Sequence, residues 1–158
     1  MTPIPELSPK KWHWVADGLC CVVMAGTLLW LWRQWPYLPE QLPSHYNLAG
    51  QVDRMADKWT IWICPLLGVA FFVLFGFLER KPKWWNTGVR VTEENASRVY
   101  GAVLDLLVLE KVGCCLLLEG LSWYSAQGGN LPGWGMAAIL ALTLGPLVVG
   151  VIRLWRAR

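Results

Sequence analysis

Apolar positions in this chain fall into four long stretches divided by shorter polar segments, at residues 14–32, 59–78, 99–124 and 131–152. These runs are too long for the core elements of a small water-soluble fold. A helix needs about 20 mainly apolar residues to cross a bilayer, so each stretch predicts a transmembrane helix. The third is the least apolar. Tryptophans mark many of the ends: Trp12 and Trp14, Trp30 and Trp32, Trp59 and Trp62, Trp84 and Trp85, Trp123, Trp134 and Trp155. Indole rings favour the headgroup level, so the pattern reads as an aromatic belt. The fold class expected is an all-α integral membrane protein, an antiparallel bundle of four transmembrane helices, with residues 1–158 forming one membrane domain.

Composition agrees with this reading. Hydrophobic residues make up 55% of the chain and charged residues only 16%, against about 25% charged in a typical soluble domain. Lys10 and Lys11 precede the first apolar stretch as in a signal peptide, but no small-x-small cleavage site follows, so an uncleaved first span is expected. The five cysteines, Cys20, Cys21, Cys64, Cys114 and Cys115, all lie within apolar runs without zinc-site spacing. They read as small apolar packing residues.

Charge sets the orientation. Ten basic residues flank the termini and the second loop: Lys10, Lys11, Arg80, Lys81, Lys83, Arg90, Arg98, Arg153, Arg156 and Arg158. Three lie in the first loop, Arg33, Arg54 and Lys58, and none in the third. The positive-inside rule then puts both termini in the cytoplasm and the first loop, residues 33–58, outside. A net charge of +3 spread between apolar runs gives no basic face for nucleic acid. The partner expected is the lipid bilayer, with a homo-oligomer left open. In the second loop, Thr92, Glu93, Glu94 and Asn95 read as a helix start, placing acidic residues near the positive end of the dipole.

Two groups of residues offer chemistry. The outward loop is rich in Pro and Gly (Pro36, Pro39, Pro43, Gly50), which predicts an extended, turn-rich segment. It brings His45, Asn47 and Asp53 close in sequence, with Lys58 just before the second span. The motif Pro43-x-His45-Tyr46-Asn47-x-x-Gly50-x-x-Asp53 resembles a bacterial membrane domain of unknown function that also forms the N-terminal part of SdpI-type toxin-immunity proteins. The resemblance covers roughly residues 15–125 and extends to Asn86 and the Thr-Glu-Glu-Asn stretch. Met55-Ala56 stand where family members often have Trp, and the longer members carry further spans, so this chain resembles a short form. The resemblance implies a membrane module with a role in immunity or signalling for some members, and no established reaction. The function expected is a non-enzymatic module of that kind whose outward loop meets a secreted peptide toxin or a lipid-linked ligand.

Taken residue by residue, the same loop supports two readings. In one, His45, Asn47, Asp53 and Lys58 bind a peptide or a lipid headgroup, or His45 and Asp53 ligate a divalent metal, for which a third ligand would have to come from a helix. In the other, Pro43 and Gly50 set turns, Asn47 and Asp53 cap backbone groups, and His45 braces the loop. No other cofactor is expected.

The second group is Asp105, Glu110, Lys111 and Glu119 in the third span. Charges in a membrane helix are costly and usually face the bundle interior or pair with one another. Asp105 and Glu119 share a stripe with Arg98, while Glu110 points elsewhere. Glu119 is expected to meet Lys58, Arg54 or His45. His13 and Asp17, four apart at the start of the first helix, are expected to orient and cap it, pairing with each other or meeting the basic second loop. Two rival functions follow. A membrane enzyme would gather His45, Asp53 and Glu119, and a small transporter or channel subunit would expose Asp105 to water or to a subunit interface.

Overall fold

The computed structural model describes residues 4–158. Four helices run Lys11–Gln34 (α1), Ile63–Glu79 (α2), Ala96–Gln127 (α3) and Gly135–Ala157 (α4). Between α1 and α2 the chain forms an antiparallel hairpin of strands β1 (Gln41–Tyr46) and β2 (Val52–Asp57). The structure is mainly helical, and this hairpin corrects the all-α expectation. A short 3-10 turn, Lys58–Trp62, leads directly into α2.

Three segments are long and apolar enough to cross a membrane: Lys11–Tyr37, Lys58–Glu79 and Gly135–Ala157. α3 is the exception by composition, since it carries Asp105, Glu110, Lys111 and Glu119. It is nevertheless the centre of the molecule. α1, α2 and α4 all pack on α3, and α3 holds most of the buried helical positions. The outer helices turn Leu19, Val22, Leu29, Leu66, Val73, Leu140, Val148 and Val151 outward. In water such a surface would be unstable. In lipid it is the favourable arrangement, because hydrocarbon solvates the apolar faces and the polar groups gather inside.

Side-chain contacts fix the directions. His13, Asp17 and Cys20 of α1 meet Asp105, Lys111 and Cys115 of α3 in the same order, so these two helices are parallel. Glu79 meets Lys111, and Gly68 lies against Glu119, so α2 runs antiparallel to α3. α4 also opposes α3, with Arg153 on Asp105 and Gly150 against Leu106. Both ends of the described chain lie at one end of the bundle, and the hairpin at the other. Exposed tryptophans divide between those ends, Trp14, Trp84 and Trp155 at one and Trp32, Trp59, Trp123 and Trp134 at the other. At about 1.5 Å per residue, Trp134 and Trp155 stand roughly 30 Å apart along α4, close to the ~30 Å hydrocarbon thickness of a bilayer.

The α3–α4 contact depends on a backbone defect. Pro146 lies inside α4 and has no N–H, so the carbonyl of Leu142 loses its helical donor. That carbonyl faces Gly113 of α3, and a Cβ placed on Gly113 would collide with it. Small residues at helix interfaces in membranes permit such close approach. Gly113→Val is therefore expected to force the helices apart and cost about 1–3 kcal/mol, the usual range for overpacking. Thermal unfolding in detergent checks this, with Gly120→Val as the comparison, since no atom lies within 4 Å of a Cβ there.

Candidate functional site

The residues that resemble a loop motif in sequence build the hairpin in space. Asn47 organises the turn: its Oδ1 accepts the N–H groups of Ala49 (2.9 Å) and Gln51 (3.0 Å). Gly50 closes it with φ +75°, a left-handed conformation that favours glycine. Leu131 lies 3.2 Å from where a Cβ on Gly50 would stand. Pro43 sits where the strand register shifts, and a two-stranded sheet tolerates its missing donor at such an irregularity. Across the strands His45 Nδ1 and Asp53 Oδ1 are 2.6 Å apart. Lys58 pairs with Glu40 at 2.8 Å and lies over the ring of Trp35, closing the base of the hairpin.

The hairpin is clamped to the helices. Leu42 is fully buried against Leu31 and Ile61, and Ser125 Oγ of α3 donates to the Pro43 carbonyl at 2.6 Å. The loop between α3 and α4 holds the tip, where Val52 N–H donates to Asn130 Oδ1 (2.8 Å) and Leu131 N–H to the Gly50 carbonyl (2.8 Å). The first loop is thus a clamped roof, extended and turn-rich as its prolines and glycine predict.

Under the roof lies a cavity of about 580 Å³, within the ~300–1,000 Å³ usual for small-molecule sites. Ile61, Ile63, Leu121, Met136 and Ile139 give it an apolar floor, and His45, Tyr46 and Arg54 line its hairpin side. Arg54 is exposed and makes no ion pair among the described residues. The Tyr46 hydroxyl is buried without a hydrogen-bond partner, and burial pushes its pKa up from the ordinary value, so it stays a donor. If His45 donates from Nδ1 to Asp53, its Nε2 is left as an acceptor.

The four candidate residues of the loop therefore separate. His45 and Asp53 form a pair beside the cavity. Asn47 is engaged in the turn and Lys58 in the hairpin base. Arg54 and Tyr46 join His45, Ser44, Ser122 and Ser125 among the polar residues that line the cavity, and neither was expected there as a ligand contact.

The charged residues of α3 go elsewhere. Asp105 is buried and receives Lys10 Nζ (2.7 Å), His13 Nε2 (2.9 Å) and Arg153 Nη1 (3.1 Å). His13 Nδ1 accepts the Lys10 backbone N–H at 3.2 Å, so the ring proton lies on Nε2 and is donated to Asp105. Lys111, 1% exposed, lies 2.5 Å from Asp17 and 2.8 Å from Glu79. The ammonium thus bridges a carboxylate of α1 and one of α2. Glu110 is half-buried.

These contacts correct several expectations. Glu119 does not reach Lys58, Arg54 or His45: it is buried in the bundle beside Thr27 of α1, and one carboxylate oxygen lies 2.8 Å from the position of a Cβ on Gly68. His13 caps the start of α1 by accepting the Lys10 N–H, as expected, but its other ring nitrogen goes to Asp105 and not to Asp17. The grouping of His45, Asp53 and Glu119 that the enzyme reading requires is not formed. Asp105 is enclosed by its cations, unlike the open carboxylate of the transporter reading. Among the described residues, no group of three or more His, Cys, Asp or Glu side chains is arranged to hold a metal ion. Cys20 and Cys115 pack with Met24 in the core as small apolar groups.

Taken together, the chain is a small helical protein with apolar, membrane-compatible helices and a hairpin-roofed cavity at one end. Residues 21–69 match a family described as a domain of unknown function, DUF1648. The match runs from α1 through the hairpin into α2, the unit that builds the roof. No curated protein and no solved structure matches the chain.

Proposed function

We propose that this protein is a four-span membrane module that recognises a ligand at its outer face, in the cavity beneath the hairpin. α3 crosses as a polar central helix shielded by α1, α2 and α4. The positive-inside balance puts both termini in the cytoplasm and the hairpin outside. The likeness of the Pro-His-Asn-Gly-Asp hairpin to SdpI-type proteins favours a role in immunity or signalling, with a secreted peptide or a lipid-linked molecule as the ligand.

One observation carries the reading. A hairpin clamped to the helices covers a mainly apolar cavity of about 580 Å³, beside an Arg54 without an ion-pair partner among the described residues and a buried Tyr46 hydroxyl with no hydrogen-bond partner among them. Convergent polar groups over an apolar floor are the usual form of a binding site.

The test is protection in cells. A deletion strain of the native host is expected to lose viability in the spent medium of its siblings, and the wild-type gene to restore it. Arg54→Ala and the cavity-filling Ile139→Trp, at equal abundance in the membrane, are expected to fail. Full rescue by both variants, or a deletion strain that survives unharmed, would defeat the proposal.

A further inference from the structure

The cavity beneath the hairpin is bounded on its sides by helices that lean on α3 separately. α2 and α4 each pack extensively on α3 but scarcely touch one another. The start of α2 supplies Ile61 and Ile63, the end of α3 supplies Leu121, and the start of α4 supplies Met136 and Ile139. Ile63 is more than half exposed, and Leu67 and Leu140 on the flanking turns are also exposed. The apolar floor is thus continuous with the apolar outer faces of α2 and α4. The cleft between those helices opens sideways, toward hydrocarbon in a membrane-inserted bundle.

The lip of the cavity differs in character. Arg54 on β2 carries a guanidinium with no carboxylate within ion-pair distance among the described residues. The nearby carboxylate Asp53 is engaged with His45 at 2.6 Å, and Glu40 with Lys58. Guanidinium is suited to phosphate oxygens, which it binds in paired, charge-assisted hydrogen bonds. A hydrocarbon floor reached from the bilayer and a free guanidinium at headgroup height together describe one amphipathic ligand.

We propose that the cavity holds an acyl chain of an anionic phospholipid drawn from the leaflet on the hairpin side. The chain enters between α2 and α4 and lies against Leu121 and Ile139, and the phosphate rests on Arg54. This deepens the reading of the cavity as a ligand site and rests on it. The headgroup's net negative charge is what Arg54 selects, so phosphatidylglycerol is held in preference to phosphatidylcholine.

Native mass spectrometry of the purified full chain in detergent tests the proposal, with either lipid added at matched concentration. Wild-type protein is expected to retain one phosphatidylglycerol at about tenfold lower lipid concentration than phosphatidylcholine. Arg54→Ala should abolish that preference, whereas Arg33→Ala, which changes a basic residue outside the cavity lining, should keep it. Ile139→Trp should remove the bound lipid. A phosphatidylglycerol carrying a diazirine on its acyl chain should label residues around Leu121 and Ile139 in the wild type, a measurement independent of how the variants fold.

Equal retention of the two lipids by wild type, or labelling confined to the outward faces of α1 and α4, would overturn the lipid assignment. The cellular assay separates the two levels. If Ile139→Trp loses protection while wild type binds no lipid selectively, the cavity still serves a ligand and only its phospholipid identity fails. If Ile139→Trp still protects and no lipid is retained, both fall.

Discussion

Lys111→Met is expected to be the most damaging single substitution in the chain, lowering stability by about 3–5 kcal/mol, the range for breaking a buried ion pair from one side. Methionine reproduces most of the lysine stem but leaves Asp17 and Glu79 facing each other without the ammonium that lies 2.5 and 2.8 Å from them. Those carboxylates come from α1 and α2, so the lysine is a three-helix junction on the central helix. Denaturant titration of the detergent-solubilised protein measures the loss. The decisive control is the triple variant Lys111→Met, Asp17→Asn, Glu79→Gln, which should recover most of it, because an uncharged triad of similar volume removes the stranded charge. Glu79→Gln alone should cost much less, since Asp17 still answers the ammonium. If the triple variant is as unstable as Lys111→Met, the junction works through packing and not through charge.

That junction also explains what the sequence concealed. A hydropathy pattern registers composition, and by composition α3 is the weakest candidate for a span. Its charges look like a reason to doubt it until their partners are known. Those partners come from distant positions: Lys10 and His13 for Asp105, Asp17 and Glu79 for Lys111. No local spacing announces them. What was legible was one-dimensional, namely the long apolar runs, the tryptophans at their ends, and the Thr92–Asn95 helix start. There Thr92 N–H donates to Asn95 Oδ1 and Asn95 N–H to Thr92 Oγ1, just ahead of α3.

The hairpin falls between these cases. Asn47 and Gly50 are readable as turn residues, but Pro43 within β1 and the bulged register hide the strand on either side of them. Residues read as one cluster therefore separate once the strands pair. Asn47 and Lys58 go into the hairpin's own bonds, while Arg54 and Tyr46, not expected as ligand contacts, line the cavity.

Asp105→Ala is the second large effect expected, about 2–3 kcal/mol, the upper range for stranding a buried hydrogen-bonding group, and its cost should fall unevenly on its three partners. Lys10 and Arg153 have side chains about half exposed, at 54% and 49%, so both can return to water and forfeit little. His13 is 5% exposed by side chain and fixed by the bond from the Lys10 backbone to its Nδ1. Its Nε2–H would be left buried without an acceptor, the expensive outcome for a hydrogen bond. Asp105→Asn, which keeps an acceptor for His13, should therefore lose only about 1 kcal/mol. A double-mutant cycle should show strong coupling between Asp105 and His13 and weak coupling between Asp105 and Lys10. Equal coupling to both would mean that charge, and not the buried imidazole bond, holds this end together. The cluster lies at the end of the bundle opposite the hairpin, so lipid retention by the folded Asp105→Asn variant should match wild type. A loss there would show that the two ends of α3 are mechanically linked.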